Sequence, residues 1–152
     1  MTYIAYWNGS TWQAVGSGTN DQVRALAVHP FTGELYAAGW FTQAGGVSAS
    51  HLAVWDGAAW RALSREVNGD VLALAFDWEG NLFAGGDFTT AGGLAANRLA
   101  WWDGINWHTL GSGANATVRS LAFTVKGELV AGGDFTMVDG VSANRLAMWD
   151  YS

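Results

Sequence analysis

Short apolar runs alternate with turn residues along the whole chain. Val71–Phe76 is a six-residue apolar run, and the Glu79-Gly80-Asn81 turn leads from it into Leu82-Phe83-Ala84, which ends at Gly85-Gly86. A Gly-containing connection follows, then the run Leu99–Trp102, and the Asp103-Gly104 pair reverses the chain into a segment centred on Trp107 and Leu110. Asx-Gly between apolar runs is a strong short-range hairpin signal. It recurs at Asn8-Gly9, Asp56-Gly57 and Asp103-Gly104, so the unit reads as four strands and the Asx side chains read as turn formers, not catalysts. In Val23–Val28, Val71–Phe76 and Val118–Phe123, the residues Ala25, Ala27, Ala73, Ala75 and Ala122 alternate with larger apolar side chains. Such alternation suits a sheet sandwiched between neighbours, and small side chains let sheets converge on an axis.

The unit repeats. Trp7, Trp55, Trp102 and Trp149 are spaced by 48, 47 and 47 residues, and Trp12, Trp60, Trp107 and Phe41, Phe88, Phe135 keep that step. This period, with Gly-Gly pairs and tryptophans, predicts β-propeller blades. The expected fold is all-β, with three four-stranded blades of about 47 residues and partial terminal strands. Residues 1–15 read as a partial blade, 16–63, 64–110 and 111–152 as repeats, the last without its fourth strand. Propeller rings have about four to eight blades, so the expectation is half of a six-bladed homodimer. The strand around Trp12 of one chain would complete the blade opened by residues 118–150 of another, removing exposed edges. Trp7, Trp12, Trp149 and Tyr151 are the expected assembly residues; Tyr151 stands where other copies have Gly. Residues 4–8 and 146–150 compete for the same third-strand position, and the pattern does not choose between them.

Read as LAVWDGAAWRAL, VLALAF and LFAGGDFTTAGGLAANR, the repeat resembles the kelch-like repeat of galactose-oxidase-type propellers. It is more similar still to repeats of bacterial surface or secreted proteins and of fungal cortical polarity proteins. The resemblance covers essentially the whole chain and implies secreted or cell-surface parent proteins. It also implies partner binding through loops 41–50, 88–97 and 135–144, with 16–22, 64–70 and 111–117. The copper ligands of galactose oxidase have no counterpart, so no oxidase activity is implied.

Composition narrows the function classes. A net charge of −6 disfavours nucleic acid and anionic membrane surfaces as partners. No 18-residue apolar run exists and Met1-Thr2-Tyr3 lacks a basic start, which argues against a membrane span and an intact signal peptide. With no Cys there is no disulfide framework or thiolate metal site. His29, His51 and His108 fall in three different repeat phases and read as surface histidines; no catalytic set, cofactor or metal is expected. Asp87 and Asp134 follow the Gly-Gly pairs and are read as hydrogen-bonding loop backbone. Arg98 and Arg145 are read as clamps on a neighbouring blade through such carboxylates.

Seven of the ten tryptophans are periodic and read as packing. Trp40, Trp78 and Trp101 break the repeat, standing where other copies carry Asp, Thr or Val, and Val or Met. The scaffold does not require them, so they are candidates for ligand contact together with loop residues Asn20, Asn68 and Asn115. An exposed indole would stack on a sugar or anchor a protein. The first functional expectation is therefore a non-enzymatic self-assembling scaffold with a binding loop face. A carbohydrate-binding lectin, and a fragment of a larger propeller domain of a surface protein or enzyme, are the alternatives.

Overall fold

The computed structural model describes residues 2–150 and places nineteen strands among them. An N-terminal hairpin, β1 (Ala5–Trp7) and β2 (Trp12–Ala14), forms a separate two-stranded sheet. Blade 1 follows as β3 (Val23–Val28) and β4 (Leu35–Gly39), a small hairpin of β5 (Gln43–Ala44) and β6 (Val47–Ser48), then β7 (Leu52–Trp55) and β8 (Trp60–Ala62). Blade 2 repeats it with β9 (Val71–Phe76), β10 (Leu82–Gly86), β11 (Thr90–Ala91), β12 (Leu94–Ala95), β13 (Leu99–Trp102) and β14 (Trp107–Thr109). Blade 3 has β15 (Val118–Phe123), β16 (Leu129–Gly133), β17 (Met137–Val138), β18 (Val141–Ser142) and β19 (Leu146–Trp149). The sheets run antiparallel in the orders β3-β4-β7-β8, β9-β10-β13-β14 and β15-β16-β19.

The blade pattern read from the sequence is the pattern in the structure, and the chain is an all-β propeller segment. The two-residue hairpins in the second-to-third-strand loops were not foreseen. Each is pinned by a bridge to the loop entering its blade, at Thr19 with Ala44, Val67 with Ala91 and Ala114 with Val138.

The glycine that ends each second strand, paired with a second glycine in blades 2 and 3 and with Ala38 in blade 1, has a steric cause. A Cβ on Gly39, Gly86 or Gly133 would collide with the backbone carbonyl oxygen of Gln22, Asp70 or Thr117 respectively. At the same end of the sheet the register slips between first and second strands in all three blades, the mark of a bulge. Only glycine lets the second strand pass this close to the first.

Blades stack through their apolar faces. Tyr36 and Val54 of blade 1 share a cluster with Leu74 and Phe76 of blade 2, and Phe83 and Trp101 of blade 2 share one with Leu121 and Phe123 of blade 3. The aromatic pairs at the two junctions match, Tyr36–Phe76 and Phe83–Phe123 both lying 5.1 Å apart edge to face. Phe41, Phe88 and Phe135 anchor the loops and are fully buried. Trp60, Trp102 and Trp107 are buried as the packing reading expects, whereas Trp7 and Trp12 are 53% and 69% exposed because no sheet covers the N-terminal hairpin.

Truncating a loop anchor removes a whole ring from a closed site. Phe88→Ala is expected to destabilise by about 3–5 kcal/mol in urea denaturation. Phe31→Ala, at a residue 70% exposed, is expected to stay within about 0.5 kcal/mol.

Candidate functional site

The loop face is held by side-chain clamps. The Oδ1 of Asn20 accepts the backbone N–H groups of Thr42 and Gln43, that of Asn68 those of Thr89 and Thr90, and that of Asn115 those of Thr136 and Met137. The Nδ2 atoms donate to the hydroxyls of Thr42, Thr89 and Thr136 at 3.0, 2.9 and 3.0 Å. Each amide is thus committed to shaping the loop that starts after its blade's second strand.

The Asx-Gly turns behave as read. Asn8, Asp56 and Asp103 each accept two backbone N–H groups through Oδ1, with Gly9, Gly57 and Gly104 at φ of 101°, 102° and 100°. The N–H of Asn106, then His108 at 2.7 Å and the N–H of Ile105, hold the Asp103 carboxyl down at about 2.

Other side chains take partners that differ from the expectation. Asp134 forms a bidentate pair with Arg119 at 2.7–2.9 Å, which lowers its pKa, and does not bond loop backbone. Asp87 lies 3.3 Å from the Thr117 hydroxyl and 3.6 Å from Arg98 Nε. Arg98 does reach the next blade, but through its Nη1 to the carbonyl of Ala114, while its carboxylate partner is in its own blade. Arg145 Nη1 donates to its neighbour Asn144. His29, His51 and His108 lie at the surface with their rings partly covered: His29 packs 5.0 Å from Phe76, and His51 Nδ1 sits 3.2 Å from the Gly39 carbonyl and 3.4 Å from Asp70. Among the described residues no cluster of three His, Asp or Glu gathers around a common point, and no helix is long and apolar enough to cross a membrane.

The three aperiodic tryptophans separate. Trp40, 41% exposed, lies under the Arg24 guanidinium at 4.9 Å, in the same repeat positions where blade 3 has its Arg119–Asp134 pair. Trp78 and Trp101 meet in one groove of about 470 Å³ with Phe83, Glu79, Asn81 and Lys126. That groove lies at the end of the sheets carrying the first-to-second-strand turns, opposite the loop face.

The two flanks of the arc are the other exposed features. Blade 1 presents Leu26 and Val28, 52% and 60% exposed, and blade 3 presents Leu146 and Met148, 65% and 62% exposed. Beside β19, the edge strand of its sheet, runs an apolar groove of about 350 Å³ lined by Leu110, Leu129, Ala131, Val138, Met148 and Trp149. In blades 1 and 2 the fourth strand brings in Trp60 and Trp107, whose Nε1 atoms donate to the carbonyls of Val15 and Arg65 at 3.0 and 2.8 Å. Gly45 and Gly92 make room for them; a Cβ there would stand 2.8 and 2.9 Å from the indole Cδ1. Blade 3 has Asp139 at that position, at φ 49°, with Oδ1 accepting from the Ser112 N–H at 2.8 Å. Of the expected assembly residues, Trp7 and Trp12 lie exposed, Trp149 is half-buried on the groove, and Tyr151 lies outside the described residues.

Two four-stranded sheets and one three-stranded sheet, stacked face to face with matched junctions, define a β-propeller segment. The family described as the Rax2 C-terminal beta propeller domain matches residues 9–103, and a beta-propeller domain of unknown function, DUF5122, matches residues 127–147. The first match spans more than half of the chain, and the chain belongs to the Rax2 C-terminal beta-propeller family. Comparison with curated proteins found no match.

The Asp103 turn makes a pH prediction. The folded carboxyl is held near 2 against an ordinary value of about 3.9. Its contribution is present above pH ~4 and is lost as pH falls through ~2. Asp103→Asn should therefore flatten the acid limb of stability between pH ~4 and ~2, read by thermal denaturation across pH. An unchanged limb would contradict the assignment.

Proposed function

We propose that this chain is a non-enzymatic propeller scaffold whose exposed flanks cover one another in a second copy, giving a six-bladed ring from two chains. The observation that carries this reading is that the flanks are the two halves of a junction the protein already builds twice. Where Tyr36 and Val54, then Phe83 and Trp101, pack on the next blade, blade 3 carries Val130 and Met148. Where Leu74 and Phe76, then Leu121 and Phe123, receive them, blade 1 carries Leu26 and Val28. All four are apolar. A two-chain ring forms two such seams for one loss of translational and rotational freedom.

Strand exchange completes the seam. β2 enters the groove beside the partner's β19 as a fourth strand, carrying Trp12 toward the place that Trp60 and Trp107 fill in blades 1 and 2. In the free chain β2 is paired with β1, with Trp7 opposite Trp12 as Trp55 is opposite Trp60. β1 is the strand that yields, because β2 is its sole sheet partner and its three residues are exposed, while β19 is paired with β16 over four positions. The Cβ of Asp139 hinders an indole docked as Trp60 is, so Trp12 seats with a small shift. The resemblance to kelch-type repeats supports the loop face as the place for a protein partner, and the Asn clamps keep that face in one shape.

Sedimentation velocity of variants tests the assembly. Val28→Asp is expected to weaken dimerisation at least tenfold, and Asp139→Gly to tighten it. A chain lacking residues 1–8 should dimerise no more weakly than the intact one. Dimerisation indifferent to Val28→Asp, or abolished by loss of residues 1–8, would contradict the exchange.

A further inference from the structure

We propose that the groove between blades 2 and 3, walled by Trp78 and Trp101, is a subsite for a neutral hexopyranose oligosaccharide. It is closed within one chain and does not rest on the ring. Trp78 projects from the Asp77–Asn81 turn, is 68% exposed, and its indole lies over Gly127 of the next blade, where a Cβ would stand 3.2 Å from Nε1. Trp101 forms a second wall, stacked between Phe83 at 5.9 Å and 14° and His108 at 4.1 Å and 19°. His108 is itself fixed by Asp103 at 2.7 Å. That layered stack holds the indole in one orientation before any ligand arrives, which lowers the ordering cost of binding.

The repeat shows that this arrangement is not a packing requirement. Blades 1 and 3 carry Val54 and Met148 in place of Trp101. At the corresponding positions blade 1 sets the Glu34–Arg61 ion pair at 2.8 Å, and with Tyr36 these side chains line a separate, more polar pocket. Blade 2 has Asn81 and His108 at those two positions, and the groove stays open.

The polar rim narrows the ligand class. The Glu79 carboxylate and Lys126 ammonium both line the groove and take no hydrogen-bond or ion-pair partner among the described residues, while Asn81 Nδ2 donates to Asp77 and its amide oxygen takes none among them. The exposed indole of Trp78, with the edge of the stacked Trp101 beside it and acceptors and a donor on the rim, matches a ring that has apolar C–H faces and hydroxyls around its rim. An anionic ligand is disfavoured by Asp77 and Glu79 on the rim and by the net charge of −6. A purely apolar ligand would leave the polar groups desolvated.

Tryptophan-fluorescence titration with cello-, malto- and chito-oligosaccharides tests the proposal on the intact chain. At least one series is expected to bind saturably. Trp78→Ala, at an exposed residue, and Trp101→Val, which installs the residue blade 1 uses, should each weaken that binding at least tenfold with the melting temperature of Trp78→Ala unchanged. Trp40→Ala, remote from the groove, should leave it unaltered. No saturable binding by any series, or binding that survives both groove substitutions, would overturn the assignment.

Discussion

Each sheet in this protein is stabilised chiefly by the sheet beside it. A four-stranded blade has two faces, and its apolar side chains are buried only when a neighbour lies against each. Blade 2 shows the satisfied case: Val71, Leu82, Ala84 and Ala100 are essentially inaccessible. Blades 1 and 3 are satisfied on one side only, and the repeat positions that are buried or partly covered in blade 2 as Leu74, Phe76 and Trp101 are exposed there as Leu26, Val28 and Met148. The requirement for lateral packing thus accounts both for the stability of the arc and for the apolar side chains left exposed on its flanks.

Around that packing, polar groups are used to fix backbone. Three asparagines shape the loop face, three Asx turns close the outer hairpins, and the bulge glycines let paired strands approach where a side chain could not fit. Charged side chains are mostly absorbed in short-range partners such as Arg119–Asp134 and Arg61–Glu34. These exposed pairs are worth little individually. Their effect is to orient strand ends, and they leave few charged groups free to meet a ligand.

The periodic tryptophans, the glycine ending each second strand and the Asx-Gly turns made the architecture legible in the sequence, because each reflects a local constraint repeated from blade to blade. What one residue does to another 15 to 30 positions away was not legible. The bond of Asn68 to the loop at Thr89, and the seating of Asp134 on Arg119 instead of loop backbone, depend on how the bulge turns each strand end. Trp78 and Trp101 stood out as departures from the repeat, yet that they meet follows from the strand order of blade 2, which sets β13 against β10 beside the β9–β10 turn. Trp40, marked by the same departure, proved to belong to an Arg24 contact elsewhere. A broken repeat therefore flags residues freed from packing without saying which of them gather.

The central claim is that the flanks of this arc are complementary halves of one interblade junction. Native mass spectrometry of the 152-residue chain at micromolar concentration addresses it most directly. The account predicts a species of twice the chain mass. A folded species of single chain mass across that range, with Leu26, Val28 and Met148 left in water, would contradict it.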